Sequence, residues 1–119
     1  MPLFNNKYMT DKEYCLYFRK GGYCNPQCYE DAKTVFYLPI NSKDKKKWLH
    51  PTIKPLSIIR TLIRNSSKEG DLVLDCFLGS GTTAVASILE KRNYIGIELN
   101  KKYYDISIQR INEIKECDK

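Results

Sequence analysis

One short stretch constrains the fold of this chain more than any other: an apolar run ending in an acid, then two closely spaced glycines, then a helix-forming run. Residues 72–74 are Leu-Val-Leu and precede Asp75, and Gly79-Ser80-Gly81-Thr82-Thr83 leads into the helix-like residues 84–91. Glycines in such a turn let the backbone approach a ligand that a Cβ would repel, and a helix start offers unpaired N–H groups. The stretch therefore predicts a strand–turn–helix pocket of the nucleotide-binding kind.

The residues that follow extend this pattern to β-α-β-α. We predict strands over Asp71–Phe77 and Tyr94–Glu98, with a helix over Thr83–Lys91 between them that buries Val85, Ile88 and Leu89. Asn100 is a good cap for a final helix, in which Tyr104, Ile108 and Ile111 would share the buried face. Two adjacent strands joined through a helix imply a parallel pair with a right-handed crossover.

The first half of the chain has a different pattern. Glu13–Arg19 alternates apolar and polar residues and Thr34–Leu38 is rich in strand formers, so we predict a strand at each place. Ser42–Lys47 reads as a polar, lysine-rich loop. Pro55 suits the first position of a helix whose apolar face comprises Leu56, Ile59, Leu62 and Ile63. We expect one domain over residues 1–119, with a strand region and loop in 1–49 and the β-α-β-α unit in 50–119.

Composition narrows the class of protein. The chain has 20 basic and 14 acidic residues, a net charge of +6, which favours a polyanionic partner. An odd number of cysteines and the absence of a secretory leader predict a reduced, cytoplasmic protein. Cys24 and Cys28 have a spacing that can hold zinc, but no second Cys/His pair accompanies them, so we expect free thiols and no metal. No apolar run approaches the ~20 residues that span a bilayer, and we expect no membrane insertion.

The glycine turn alone allows two cofactor classes. Gly79-x-Gly81-x-x-Ala84 fits the dinucleotide fingerprint, with Glu98 near the position of the acid that binds a ribose. A carboxylate at that strand end can accept two hydrogen bonds from ribose hydroxyls. No lysine follows the last glycine, which excludes a P-loop. A NAD(P)-binding fragment therefore stays an alternative on the turn alone.

A further motif identifies a family. His50-Pro51-Thr52-Ile53-Lys54-Pro55 precedes the glycine turn, and Asp75 and Phe77 lead into it. From His50 to about Ile111 the chain resembles the S-adenosylmethionine-binding half of the amino-DNA methyltransferases, which methylate adenine N6 or cytosine N4. The resemblance implies an α/β, incomplete Rossmann-like methyltransferase fold. It also implies a cofactor site for S-adenosylmethionine made by Thr52, Lys54, Asp75, Phe77, Gly79, Ser80, Gly81, Thr82 and Glu98.

The catalytic tetrapeptide of that family, Asp-Pro-Pro-Tyr, does not occur in this sequence. Asn25-Pro26-Gln27-Cys28 shares two letters with close variants but follows a glycine turn and has no aromatic residue at its fourth position. We therefore assign no catalytic residue and expect the chain to be the C-terminal part of a methylase. A sheet without the catalytic strand would leave the edge of the strand at residues 72–76 unpaired, which predicts self-association or pairing with the N-terminal half.

The lysine run beside Trp48 is the remaining candidate site. The resemblance implies DNA as a partner, and Lys45, Lys46 and Lys47 are candidates for contacts with its phosphates, although a solvated lysine loop is an equally good interpretation. Family frequency favours adenine N6 over cytosine N4 as the target. Besides the NAD(P) reading, a non-catalytic remnant or assembly partner of a larger methylase stays open.

Overall fold

The chain forms four helices and two strands within the residues that the computed structural model describes, which are 12–39, 42–48 and 53–117. In chain order these are α1 (Ser42–Trp48), α2 (Leu56–Ser66), β1 (Leu72–Asp75), α3 (Thr82–Leu89), β2 (Asn93–Gly96) and α4 (Lys101–Cys117). The second half thus has the predicted β-α-β-α order, with the boundaries of β1, α3 and β2 within about two residues of their predicted places.

The two strands pair in parallel, as predicted. Leu72 lies opposite Asn93 and Asp75 opposite Gly96, and α3 makes the connection. On one face of this pair Tyr94 packs on a core of Leu78, Ala84, Val85 and Ile111, to which Ile88 and Leu89 also contribute. On the other face the apolar side chains stay between 50% and 61% exposed: Leu72, Leu74, Ile95 and Ile97. The described residues therefore cover one face of the sheet and leave the other face exposed.

A cluster of arginine–carboxylate ion pairs connects α2 to the residue that follows α3. Glu90 directly follows α3 and is buried, and its Oε1 accepts hydrogen bonds from Arg60 Nε at 2.7 Å and Arg64 Nη1 at 3.1 Å. Arg64 also donates to Asp31 at 2.9 Å, and this bond, more than the two carboxylates' charges, raises the pKa of Arg64. Leu56 packs on the core and Ile63 is buried, which confirms the predicted inner face of α2 at those positions. Pro55 precedes α2 with extended backbone instead of opening it.

The two strands predicted before α1 are wrong. Residues 12–39 contain no strand, and Tyr14, Leu16 and Phe18 are exposed along with the residues that alternate with them. A strand is held by ladder hydrogen bonds to a neighbour, and no described strand pairs with this segment, so its alternating pattern has no face to bury. Hydrogen bonds to α2 fix its course instead: Asn25 N donates to Asn65 O at 2.8 Å, and Asn65 Nδ2 donates to Asp31 O at 2.7 Å.

The predicted lysine-rich loop is a helix. Ser42–Trp48 forms α1, with Asp44 in the first turn and lysines in the last, the arrangement that the helix dipole favours. Lysine is itself a good helix former. Trp48 is buried, and Lys47 Nζ lies 2.9 Å from Glu113 on α4. The polar composition that suggested a loop therefore belongs to the outer side of a short helix that contacts α4.

The cap of α4 is confirmed, and its buried face is partly different from the prediction. Asn100 Oδ1 accepts a hydrogen bond from Lys102 N at 3.0 Å, which is an N-cap contact. Ile111 is buried, but Tyr104 and Ile108 are about 40% exposed, and Ser107 and Arg110 take the inner positions. The reason is that α4 packs against the turn before α3. The close contact with Gly81 leaves room only for a small side chain, which is Ser107, and the oxygens of the turn accept hydrogen bonds from Arg110.

Two further predictions concern the whole chain. All five cysteines (Cys15, Cys24, Cys28, Cys76 and Cys117) are free and exposed. Among the described residues, no helix has both the length and the apolar character needed to cross a bilayer.

Candidate functional site

The turn after β1 is bound to the end of β2 by backbone hydrogen bonds. Ile97 N donates to Asp75 O and Leu78 N donates to Ile97 O, both at 2.9 Å. The Asp75 carboxylate accepts from Phe77 N at 2.9 Å, which turns the chain sharply at the end of the strand. This turn leaves the Phe77 ring 92% exposed. The carboxyl ends of both strands thus meet at one rim, where the predicted site residues 75–82 and Glu98 lie.

Glu98 joins the two halves of this rim. Its Oε2 accepts a hydrogen bond from Gly79 N at 2.8 Å, and its Oε1 accepts one from Asn100 N at 2.7 Å. One carboxylate therefore holds both the glycine turn and the approach to α4. Each carboxylate oxygen has a second lone-pair position, so this arrangement retains capacity for two further donors from a ligand.

The start of α3 supplies donors on the same side. Gly81 is the N-cap residue, at φ +85°, and its lack of a side chain leaves the N–H groups of the first turn without a side-chain cap. Glycine is also required by packing: a Cβ at this position would lie 2.8 Å from Ser107 Cβ and 3.1 Å from Ser107 Cα. The backbone of the turn is therefore pressed against α4.

Arg110 is the residue of this region that sequence reasoning missed. It is buried, and its Nη1 donates to Ser80 O at 2.8 Å, Ser80 Oγ at 2.9 Å and Thr82 Oγ1 at 3.1 Å. The hydroxyls of Ser80 and Thr82 thus face α4. A helical stripe of Ser107, Arg110, Ile111 and Ile114 was the available signal, because an arginine inside an otherwise apolar or small stripe needs internal acceptors.

Among the described residues, the ion-pair partners of Lys54 and Lys47 lie outside this rim. Lys54 lies before α2, half exposed, and contacts the carboxylate of Glu13. Thr52, with His50 and Pro51, lies outside the described residues. Of the three lysines proposed for DNA, Lys47 is paired with Glu113 and lies over the Trp48 ring at 4.4 Å. Lys45 is half-buried on α1 and Lys46 is exposed there.

The rim is open rather than enclosed. The described cavities lie elsewhere: one of about 400 Å³ lies beside Tyr29 and Tyr37, and one of about 620 Å³ lies between Trp48 and the first turns of α4. Leu99 at the rim is 99% exposed, like Phe77. Exposed large apolar side chains at one edge of a sheet are typical of a surface that a ligand or another polypeptide covers.

Comparison with known proteins identifies the family. A family model described as DNA methylase matches residues 1–109. The chain belongs to the DNA methylase family. Its relatives include the type II methyltransferase M2.MboI of Moraxella bovis, 43% identical over 86 residues, which are 71% of this chain and 32% of that protein. The type II methyltransferase M.HinfI of Haemophilus influenzae is 46% identical over 76 residues, 64% of this chain and 21% of that protein.

Solved structures of methylases share the fold. The structure titled as the M1.HpyAVI–SAM complex superposes with a TM-score of 0.61 at 33% identity, covering 76% of this chain and 44% of that one. PvuII DNA methyltransferase, which is named as cytosine-N4-specific, superposes with a TM-score of 0.51 at 26% identity. The match covers 66% of this chain and 32% of that one. The parallel pair with its helices is thus part of a Rossmann-like methyltransferase fold, as predicted. The DNA methylase chain described here spans between about a fifth and a third of the relatives' length.

Proposed function

We propose that this chain is the cofactor-binding part of an S-adenosylmethionine-dependent DNA amino-methyltransferase. The observation that carries the proposal is the Glu98 carboxylate, which is bonded to Gly79 N at the rim where two parallel strands end. Ligands of open α/β sheets bind at such carboxyl ends. Family membership supports the proposal, as does the similarity to the M1.HpyAVI–SAM complex.

Each residue of the rim has a defined task in this proposal. Glu98 accepts hydrogen bonds from the ribose hydroxyls, and the Phe77 ring covers an apolar part of the cofactor. The turn from Gly79 to Thr82 contributes its backbone, since the two hydroxyls are held by Arg110. Lys54 and Thr52 bind the cofactor carboxylate, for which Lys54 exchanges its exposed partner Glu13 at little cost. When bound, the cofactor supplies the methyl group.

The cofactor class can be tested against both alternatives. We expect S-adenosylmethionine to raise the melting temperature of the chain and NAD to leave it unchanged. A shift with NAD alone would establish the dinucleotide alternative instead. No shift with either ligand at millimolar concentration would favour a non-catalytic remnant or assembly partner, and the proposal would be wrong.

The target atom is a separate proposal. We propose adenine N6, and a relative named DNA adenine methyltransferase YhdJ, from Escherichia coli, supports this at 43% identity over 63 residues. The cytosine-N4-specific neighbour is 26% identical. Nucleoside mass spectrometry of DNA treated with the assembled enzyme distinguishes the two products, and N4-methylcytosine alone would contradict the assignment.

We predict that this chain alone does not methylate DNA at a measurable rate. The exocyclic amine is a weak nucleophile because its lone pair is delocalised into the base, so polar groups must position it against the methyl donor. The family tetrapeptide that provides them is absent from this sequence. Transfer of labelled methyl groups to duplex DNA by the purified chain would contradict this prediction, provided that Glu98→Ala abolished the transfer.

We propose DNA as the macromolecular substrate, with α1 contributing phosphate contacts. Lys45 and Lys46 are the candidates on this helix, because Lys47 already pairs with Glu113. Phosphate contacts release counterions, so each should increase the salt dependence of DNA binding. If DNA binding keeps its salt dependence after both lysines are replaced by glutamine, α1 does not contact the DNA phosphates.

We further infer that the open sheet face is covered by another polypeptide, either a second copy or the remaining part of a methylase. Leu74 on β1 and Ile95 on β2 are at least half exposed on this face, and β1 pairs only with β2 among the described strands. Exposed apolar faces and unpaired edges promote association. We expect light scattering at micromolar concentration to show self-association that Leu74→Arg with Ile95→Arg abolishes. A sharply monomeric wild-type chain would contradict self-association.

A further inference from the structure

Arg110 connects α4 to the turn that precedes α3. The residue is 7% exposed, and three hydrogen bonds run from its Nη1 to the backbone oxygen of Ser80 and to the hydroxyls of Ser80 and Thr82. These two residues flank Gly81, whose Cα faces Ser107 one helical turn earlier on α4. Helix α4 thus contacts three consecutive residues of the turn: it packs against Gly81 and donates hydrogen bonds to Ser80 and Thr82.

Among the described residues, Arg110 forms no ion pair within 4 Å. Burial lowers the pKa of Arg110, and the more distant charges of Asp44 and Glu113 act in the opposite direction. Its three hydrogen bonds to described residues go to neutral acceptors of the turn. The Trp48 ring lies 5.9 Å from its Cζ. An arginine stays protonated in such a site, and burying its charge is tolerated only when its donors are satisfied.

We propose that Arg110 is the positioning residue of the cofactor turn. It holds the Ser80 carbonyl and both hydroxyls against α4, and this fixes the shape that the turn presents to the ligand. A turn that is already in its bound shape loses less conformational entropy on binding, and the cofactor therefore binds more tightly. The inference rests on the proposed function, because it assigns a task toward the cofactor to a residue that does not touch it.

The first test compares cofactor affinity with fold stability. Arg110→Met removes the donors while retaining bulk, Arg110→Lys retains a charged donor, and Ile111→Val is a neighbouring core change on the same helix. By calorimetry, well below the lowest melting temperature, we expect Arg110→Met to raise the Kd for S-adenosylmethionine at least tenfold. We expect Arg110→Lys to raise it less, and Ile111→Val to lower the melting temperature without changing the Kd. A wild-type Kd in a folded Arg110→Met chain overturns the inference and leaves the proposed function intact.

The second test needs no cofactor and covers the case in which the methionine variant is too unstable for calorimetry. Gly81 N donates to Leu78 O within the turn, and Ile97 N donates to Asp75 O beside the sheet. In Arg110→Lys and Arg110→Met we expect amide hydrogen exchange at Gly81 to become at least fivefold faster, relative to Ile97 in the same chain. In Ile111→Val this ratio should stay at its wild-type value. An unchanged ratio in both Arg110 variants overturns the inference, and absence of cofactor binding by the wild-type chain overturns the proposed function as well.

Discussion

Gly81→Ala is expected to lower the free energy of unfolding by about 3 kcal/mol and to abolish detectable cofactor binding. Two costs add at this position: an alanine at φ +85° costs ~1 kcal/mol, and its Cβ overlaps Ser107 on a packed helix, which costs ~2 kcal/mol. The overlap involves Ser107 Cα as well as Cβ, so a rotamer change cannot relieve it. Binding is lost because any relief moves the turn away from α4.

Gly70 offers a matched control for this substitution. It has nearly the same φ, +86°, but a Cβ there would meet nothing within 4 Å. Gly70→Ala therefore measures the backbone cost alone, and denaturant unfolding of both variants separates the two terms. Equal destabilisation by the two substitutions would contradict the close contact between the turn and α4. We expect Gly70→Ala to bind the cofactor like the wild-type chain.

Glu98→Ala is expected to weaken S-adenosylmethionine binding about 100-fold. In the proposed site its carboxylate accepts two hydrogen bonds from the ribose, each worth ~1.5 kcal/mol because one partner is charged, and 3 kcal/mol corresponds to ~100-fold in Kd. The substitution also removes the acceptor for Gly79 N. Glu98→Gln, which keeps one acceptor oxygen, should give a smaller loss.

Glu69→Ala is the control for the change of charge. Glu69 lies before β1 and forms only a 3.6 Å ion pair with Lys91, in which both side chains are well exposed. Exposed pairs of this kind contribute little to stability. Calorimetric titration of the three variants should show wild-type affinity for Glu69→Ala. Wild-type affinity in Glu98→Ala would mean that the ribose does not bind at this carboxylate.

The second half of this fold was predictable because its signals are local. The apolar run of β1, the two glycines and the Asn100 cap each depend on neighbours within a few residues, and the structure has all three in their predicted places. The predicted site residues Asp75, Phe77, Gly79, Gly81 and Glu98 come together at one rim for the same reason. Parallel strands joined by a helix end at the same edge of a sheet, so placing the strands also places the residues that follow them.

The parts that sequence reasoning missed depend on contacts that are distant in the chain. Strand patterns around Leu16 and Phe36 lack a pairing partner among the described residues, and hydrogen bonds to α2 shape that segment instead. The lysines of α1 suggested a loop because the contact of Trp48 with α4 is invisible in local composition. Arg110 was not singled out, because its acceptors lie 28 and 30 residues earlier in the chain.

Calorimetric titration of the purified chain with S-adenosylmethionine tests the central claim most directly. The account predicts saturable binding with one site per chain, weakened in Glu98→Ala and unchanged in Glu69→Ala. It also predicts no binding of NAD under the same conditions. The contradicting result is a folded chain that releases no heat with S-adenosylmethionine at millimolar concentration and whose melting temperature the cofactor does not change. This rim would then not be the cofactor site of a DNA methylase.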